Sequence, residues 1–144
     1  IGVHHRGNRL SDIFKNVHQD IIEKRIPEET TNELQEELVL LAKSCRIVVF
    51  DGSFQSSSGQ LGFLTASLLE LLKSLMSVNP NLIIIAVNPF IIFQVPFADT
   101  VIFTYSNNEY VHQVAVDIIF GKQEALGNLP AKEVSDFYNL SRLI

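Results

Sequence analysis

Three short apolar runs divide the chain and predict the strands of a sheet. They cover residues 47–50, 82–87 and 100–104, and all three are rich in β-branched side chains. The first two runs are continuously apolar and do not alternate with polar residues, which is typical of parallel strands buried on both faces. We therefore predict that these runs form the centre of a parallel sheet.

Between the first two runs, apolar residues at helical spacing predict a crossover helix from Leu61 to Met76. Ser58 or Gly59 is the expected residue near its cap, and Asn79-Pro80-Asn81 should end it before the next strand. We expect four residues to be buried between this helix and the sheet: Leu68, Leu72, Ile84 and Ile85.

Two further helices are marked by their caps. Thr30 stands three residues before Glu33, the spacing of a capping box, ahead of a helix that continues to Ser44. Ser106 and Glu109 repeat this spacing before a helix that should end at Gly121 in the left-handed conformation. The first of these helices precedes the first predicted strand in the chain, and the second follows the third predicted strand.

In the N-terminal third, the residue pattern predicts an edge strand from Ile1 to His4, a short helix from Ser11 to about His18, and a strand from Ile21 to Ile26. With the elements downstream, this gives an α/β fold, a three-layer α/β/α sandwich with a mostly parallel sheet. Residues 1–144 should form one domain. Because Met76 is the one methionine and the sequence begins with isoleucine, we expect this domain to be excised from a longer chain.

Composition narrows the classes of partner. The net charge is -5 without a Lys/Arg cluster, which argues against nucleic acid as a partner. No apolar run approaches the roughly 20 residues of a membrane span. The single cysteine, Cys45, cannot form an intrachain disulfide, and no Cys/His spacing resembles a metal site. We therefore expect neither a metal nor a cofactor.

Candidate chemistry lies in two loops at the expected carboxyl ends of strands, residues 51–60 and 88–97, where open parallel sheets bind ligands. The first loop is rich in hydroxyl and amide groups that could bind a sugar, or a phosphate at the helix start. The alternative is an ordinary solvated turn. Neither a P-loop nor a nucleophile elbow occurs. The candidate substrate-facing residues are Asp51, Ser53, Gln55 and Asn88, none of them catalytic.

The four histidines, His4, His5, His18 and His112, lie in or beside polar segments. None has a neighbouring pattern of carboxylates that would mark a general base. We therefore predict that they are solvated surface residues.

The second loop carries the apolar stretch Phe90-Ile-Ile-Phe-Gln-Val-Pro-Phe97. Such a loop either needs a partner surface or is buried under the domain's own C-terminal tail. In the first case Phe90, Ile91, Phe93 or Phe97 should be partly exposed, and the isolated chain should self-associate to cover them.

A series of motifs runs through the second half in this order: Asn88-Pro-Phe90, Pro96-Phe-Ala-Asp99, Thr104-Tyr-Ser106, Phe120-Gly-Lys122 and Gly127-Asn-Leu-Pro130. The series resembles the second, α/β-sandwich domain of glycoside hydrolase family 3. The resemblance covers residues 82–130 well, residues 33–78 in pattern only and residues 1–32 barely.

The resemblance implies a parent enzyme whose N-terminal (β/α)8-type barrel carries a nucleophilic aspartate and hydrolyses a β-linked sugar with retention. In the β-glucosidase branch the acid/base glutamate lies on the loop corresponding to residues 51–60, and this sequence has no glutamate there. In lacking this glutamate the sequence resembles the β-N-acetylhexosaminidase branch, where the acid/base group lies on the barrel.

The chain is therefore expected to be an accessory domain that supports the missing barrel and is inactive alone. The parent enzyme would act on a β-linked sugar such as an N-acetylglucosaminide, in the bacterial cell envelope or after secretion. The alternative is a stand-alone α/β module that binds a ligand or another protein.

Overall fold

The computed structural model describes residues 10–53 and 63–127 and confirms an α/β fold. The three strands of its sheet are all parallel, in the order β1-β2-β3. In chain order the elements are α1 (Leu10–Val17), α2 (Asn32–Ser44), β1 (Val48–Gly52), α3 (Ala66–Val78), β2 (Leu82–Ala86), a short 3-10 helix (Pro89–Phe93), β3 (Thr100–Phe103) and α4 (Glu109–Ile119). The predicted edge strand at residues 1–4 lies outside the described residues.

Helices cover both faces of the sheet. Successive side chains of a strand point to opposite faces, so a continuously apolar strand needs cover on each face. Ile84 and Ala86 of β2 are buried in a cluster with α2 and α3. Ile85 points the other way and is buried with residues of α1 and α4. The prediction that Ile85 packs under the crossover helix is therefore wrong about the partner, although the residue is buried as expected.

The crossover helix α3 buries the predicted leucine stripe, with Leu68 and Leu72 fully covered. The helix begins later than its apolar pattern suggested, and the expected cap at Ser58 or Gly59 is wrong. Thr65 is the N-cap: its hydroxyl oxygen accepts a hydrogen bond from the Leu68 N–H at 3.3 Å. The same hydroxyl donates to a backbone carbonyl before α2, that of Glu28, at 2.6 Å, a contact that no local pattern contains.

The caps of α2 and α4 are also shifted from the predicted residues. Thr31 caps α2, and its hydroxyl oxygen accepts from the Leu34 N–H at 3.3 Å. The Thr30 hydroxyl instead accepts from the Gln35 side-chain amide at 2.7 Å, and the Thr30 N–H donates to the Ser67 hydroxyl of α3 at 2.8 Å. Asn108 caps α4 through its side-chain oxygen, which accepts from the Val111 N–H at 3.0 Å. The left-handed residue predicted after α4 is confirmed, since Gly121 has a φ of +69°.

The predicted strand from Ile21 to Ile26 is wrong, because this segment is neither strand nor helix. Ile26 is its one buried residue and packs in the cluster of α2 and α3. Lys24 makes an ion pair with Glu37 of α2 at 2.6 Å. The apolar residues therefore anchor an irregular segment to the helices. The segment is not a strand, because it pairs with no neighbouring strand among the described residues.

Asn79 ends α3 as predicted, and its buried amide fastens the two connections that precede β1 and β2. The amide group donates to the carbonyls of Ala42 at 2.9 Å and Cys45 at 2.8 Å. The side-chain oxygen accepts from the Asn81 N–H at 3.0 Å. The ends of α2 and α3 are thus held together at the point where the neighbouring strands begin.

Leu72→Ala should lower the free energy of unfolding by about 2–5 kcal/mol, because it leaves a cavity in the layer between α3 and the sheet. Leu40→Ala is the matched control in α2, where the side chain is 66% exposed; its loss should be below about 0.5 kcal/mol. Denaturant unfolding of both variants measures the difference. Equal small losses would contradict the packing described here.

Candidate functional site

The carboxyl ends of the three parallel strands meet at one edge of the sheet, where the chain enters its candidate loops. The described segments of this edge are residues 51–53, 63–65, 87–95 and 104–109. Asp51, Ser53 and Asn88 lie there as predicted from the sequence, and Gln55 lies outside the described residues. The same edge is where open α/β sheets bind their ligands.

Asp51 is buried at the end of β1, with 1% of its surface exposed. One carboxylate oxygen accepts hydrogen bonds from the Ser53 N–H at 3.0 Å and from the Ser53 hydroxyl. This arrangement is an Asx turn, in which the side chain fixes the backbone two residues on. Asp51 and Ser53 therefore form one unit that sets the direction in which the first loop leaves the sheet.

Gly52 is required between these two residues by the close approach of β2. A Cβ atom at this position would come within 2.9 Å of the Ile85 carbonyl oxygen, which belongs to the backbone and has little freedom to move. The entry to the first loop is therefore fixed both by the Asx turn and by backbone packing.

His112 on α4 is a component of this edge that the sequence analysis missed. It is 2% exposed, so its prediction as a solvated surface residue is wrong. His18 is exposed as predicted, and its ring stacks on Phe120. A signal was present: His112 precedes the buried Ala115 and Val116 by three and four residues, which places it on the helix face that packs inward.

The environment of His112 favours the neutral imidazole. Burial lowers the pKa of His112, and the negative charge of Asp51 opposes that change without cancelling it. The Nε2 atom is buried and has no hydrogen-bond partner, the one such side-chain atom found among the described residues. A neutral ring is the less costly form there, because an ionised group loses far more hydration on burial than a neutral one does.

Gln94 fixes the exit of the first loop. Its side-chain oxygen accepts from the Leu64 N–H at 3.0 Å, and its amide group donates to the Leu64 carbonyl at 3.1 Å. The side chain thus pairs with the backbone N–H and C=O of one residue, as a neighbouring strand would. Because Gln94 follows β2 and Leu64 precedes α3, the pair ties the two candidate loops together.

The apolar second loop is partly core and partly surface. Asn88 opens it as the cap of the 3-10 helix, accepting from the Phe90 N–H at 3.0 Å. Ile91 is fully buried, whereas Phe90 and Phe93 are 46% and 44% exposed, so the expected exposure holds for these two candidates. Their rings stack at 6.2 Å between centroids. The loop is therefore anchored by Ile91 and presents a pair of phenylalanines.

Exposed aromatic rings concentrate at this edge. The described residues include six exposed aromatic side chains, and five of them lie in the segments after the strands or in the first turn of α4: Phe63, Phe90, Phe93, Tyr105 and Tyr110. The same segments contain no lysine or arginine, and their polar residues are mostly amides and hydroxyls. We call these five rings and the loops that carry them the aromatic edge.

The aromatic edge has few groups for acid/base chemistry. Its described segments contain two carboxyl groups, the buried Asp51 and Glu109 in the first turn of α4. No group of three or more potential ligands among the described residues is arranged to hold a metal ion. The described helices include none that is both long enough and apolar enough to cross a membrane.

No protein-family model, curated protein or solved structure matches the chain. Evidence on function therefore comes from the residues of the aromatic edge and from the order of the sequence motifs.

The buried imidazole should make the domain sensitive to acid. Since the pKa of His112 is lowered in the folded state from its ordinary 6.5, the unfolded chain binds more protons as the pH falls through that value. Stability should therefore decrease from about pH 6.5 downward until the lowered pKa of the folded state is reached. In His112→Gln, urea unfolding at several pH values should show a smaller loss across this range.

His18→Gln is the matched control, because it removes an exposed imidazole. This variant should keep the acid sensitivity of the wild type. Identical pH profiles for the wild type and His112→Gln would show that His112 does not bring about the effect.

Proposed function

We propose that this chain is an accessory α/β domain of a family 3 glycoside hydrolase, of the β-N-acetylhexosaminidase-like branch. In this role the domain supports a catalytic barrel and hydrolyses no sugar by itself. The observation that carries the proposal is the aromatic edge, an anchored and nearly uncharged set of loops at the carboxyl end of a parallel sheet, where such sheets commonly bind ligands. The choice of family rests on the resemblance of the ordered motifs in residues 82–130.

The chemistry of the edge favours a supporting role over a catalytic one. Retaining hydrolysis uses two catalytic groups, in most families carboxyl groups about 5–5.5 Å apart. Asp51 is buried and accepts two hydrogen bonds from Ser53, so its carboxylate holds the loop. The other described carboxyl group of the edge, Glu109, is on the exposed first turn of α4. Neither residue is placed as a nucleophile.

The way in which the loops of the aromatic edge are anchored favours a protein partner. Gln94 fixes Leu64, and the buried Ile91 anchors the loop that carries Phe90 and Phe93. Half-exposed rings on a fixed backbone lose little conformational freedom on binding, which is what makes aromatic residues effective anchors in interfaces. A barrel placed against this edge would bury the rings and enclose its sugar substrate beside hydroxyl and amide groups.

The isolated chain should not hydrolyse aryl β-glycosides, including the aryl β-N-acetylglucosaminide, because the part of the aromatic edge that the structure describes offers no pair of catalytic carboxyl groups. Release of the aryl group by purified protein measures this directly. Turnover that persists through repurification and disappears in Asp51→Asn would contradict the proposal.

The double variant Phe90→Ser and Phe93→Ser should weaken binding to the catalytic barrel encoded in the same reading frame. We expect the free energy of unfolding to change little, because each ring is already about half exposed. The measurement is titration of the separately produced barrel with the wild-type domain and with the variant.

Ile22→Ser is the matched control, because Ile22 is also a half-exposed apolar residue but lies in the segment before α2. It should bind the barrel as the wild type does. A reading frame without a barrel would instead support a stand-alone binding module. Unfolding of the double variant would place the two rings in the domain's own core and remove the argument for a partner.

A further inference from the structure

The two outer strands of the sheet differ in how well they are covered. Four of the five residues of β1 are buried, whereas none of the four residues of β3 is. An uncovered edge strand is a template for pairing with another strand. The edge of β3 is therefore the side on which the described sheet could be extended.

The backbone groups that face outward can be identified from the register. The Thr104 N–H donates to the Ala86 carbonyl at 2.9 Å, and along a parallel strand alternate residues face the same neighbour. The amide and carbonyl groups of Val101 and Phe103 therefore point away from β2. Neither residue has a backbone hydrogen bond to another described residue on that side.

We propose that β3 pairs with the β3 strand of a second copy of this chain, antiparallel, around a two-fold axis at Ile102. The outward groups dictate this register: Val101 lies opposite Phe103 of the second copy and exchanges two hydrogen bonds with it, and the symmetry repeats the pair. The two sheets then form one continuous sheet of six strands.

The side chains of β3 are self-complementary in this register. On the face toward α4, Ile102 meets its own copy. On the opposite face, Val101 meets Phe103 of the second copy. A pair of an aromatic with a β-branched residue is among the favourable cross-strand pairs.

The charges near β3 do not oppose the pairing. Asp99 lies directly before the strand, so the two copies of Asp99 would stand at opposite ends of the seam. The two copies of Asp99 would be about 20 Å apart, from six residues at the rise of an antiparallel strand. This separation exceeds the Debye length of about 8 Å at physiological salt. The two copies of Asp99 therefore repel each other only weakly.

An apolar groove beside β3 supports the same partner. The groove has a volume of about 280 Å³ and runs between β3 and α4, where Tyr110, Val114 and Ile118 line its outer side. Tyr110 is 85% exposed and Val114 is 44% exposed. A two-fold axis perpendicular to the sheet would bring both copies of α4 to the same face. Their exposed apolar residues would then cover the pair of Ile102 side chains.

Sedimentation equilibrium of the wild-type chain tests the pairing. We expect a species of twice the chain mass of 16.2 kDa at about 0.1 mM protein. Val114→Lys should raise the dissociation constant at least about tenfold, because it places two cations beside the seam. Leu40→Lys is the matched control, since it adds the same charge at an exposed apolar position of α2. It should leave the dimer unchanged.

Amide hydrogen exchange on the wild-type chain identifies the strand involved, and it remains decisive if Val114→Lys does not fold. The Val101 and Phe103 amides should exchange slowly at high protein concentration and faster on dilution. The Thr104 amide, bonded within the sheet, is the internal control and should depend less on concentration. A monomer at about 0.1 mM would overturn the proposal. A dimer with unprotected Val101 and Phe103 amides, or one abolished by Phe90→Ser with Phe93→Ser, would overturn it too.

Discussion

The burial of β2 on both of its faces is the constraint on which the rest of this structure depends. Ile84 and Ile85 are adjacent in sequence, and both are fully buried in opposite layers of helices. A strand with apolar residues on both faces is stable only if each face is covered, since exposed apolar area is costly in water. The parallel connections supply that cover, and they also set the direction in which every strand ends.

Because all three strands run in the same direction, their carboxyl ends lie at one edge of the sheet, and the polar candidate residues lie there. With both faces occupied by helices, the ends of β1, β2 and β3 are where polar side chains are brought together. Asp51 and His112 meet the constraint in different ways: the carboxylate is satisfied by Ser53, whereas the imidazole is favoured in its neutral form. These buried groups underlie the loops that present the aromatic rings, and the proposed supporting role rests on those rings.

The two side edges of the sheet have separate consequences. β1 is mostly buried, so association through that strand would require the domain to open. β3 keeps its outward backbone groups accessible to a second strand, next to the exposed residues of α4. The proposed contact through β3 and a contact through Phe90 and Phe93 use different residues, whereas Tyr110 belongs to both the aromatic edge and the groove beside β3. The proposed dimer therefore does not use the two phenylalanines on which the proposed barrel contact is tested.

The sequence by itself determined the α/β class, the three described strands and the leucine stripe of α3, because each depends on local periodicity. It also located Asp51, Ser53 and Asn88 at strand ends. Only the tertiary structure decided that Thr31 and not Thr30 caps α2, since Thr30 bonds to distant Ser67 through both its N–H and its hydroxyl.

Tertiary packing likewise decided which residues of the apolar loop are exposed and whether a histidine is buried. Ile91 and Phe93 are both apolar and lie two residues apart, yet one is in the core and the other is on the surface. His112 is buried on the helix face that packs inward with α1 and the sheet, and it is influenced by the charge of Asp51, 61 positions earlier in the chain. Helical periodicity assigns a residue to one face of its helix, but the cover of that face comes from parts of the chain that no local pattern contains.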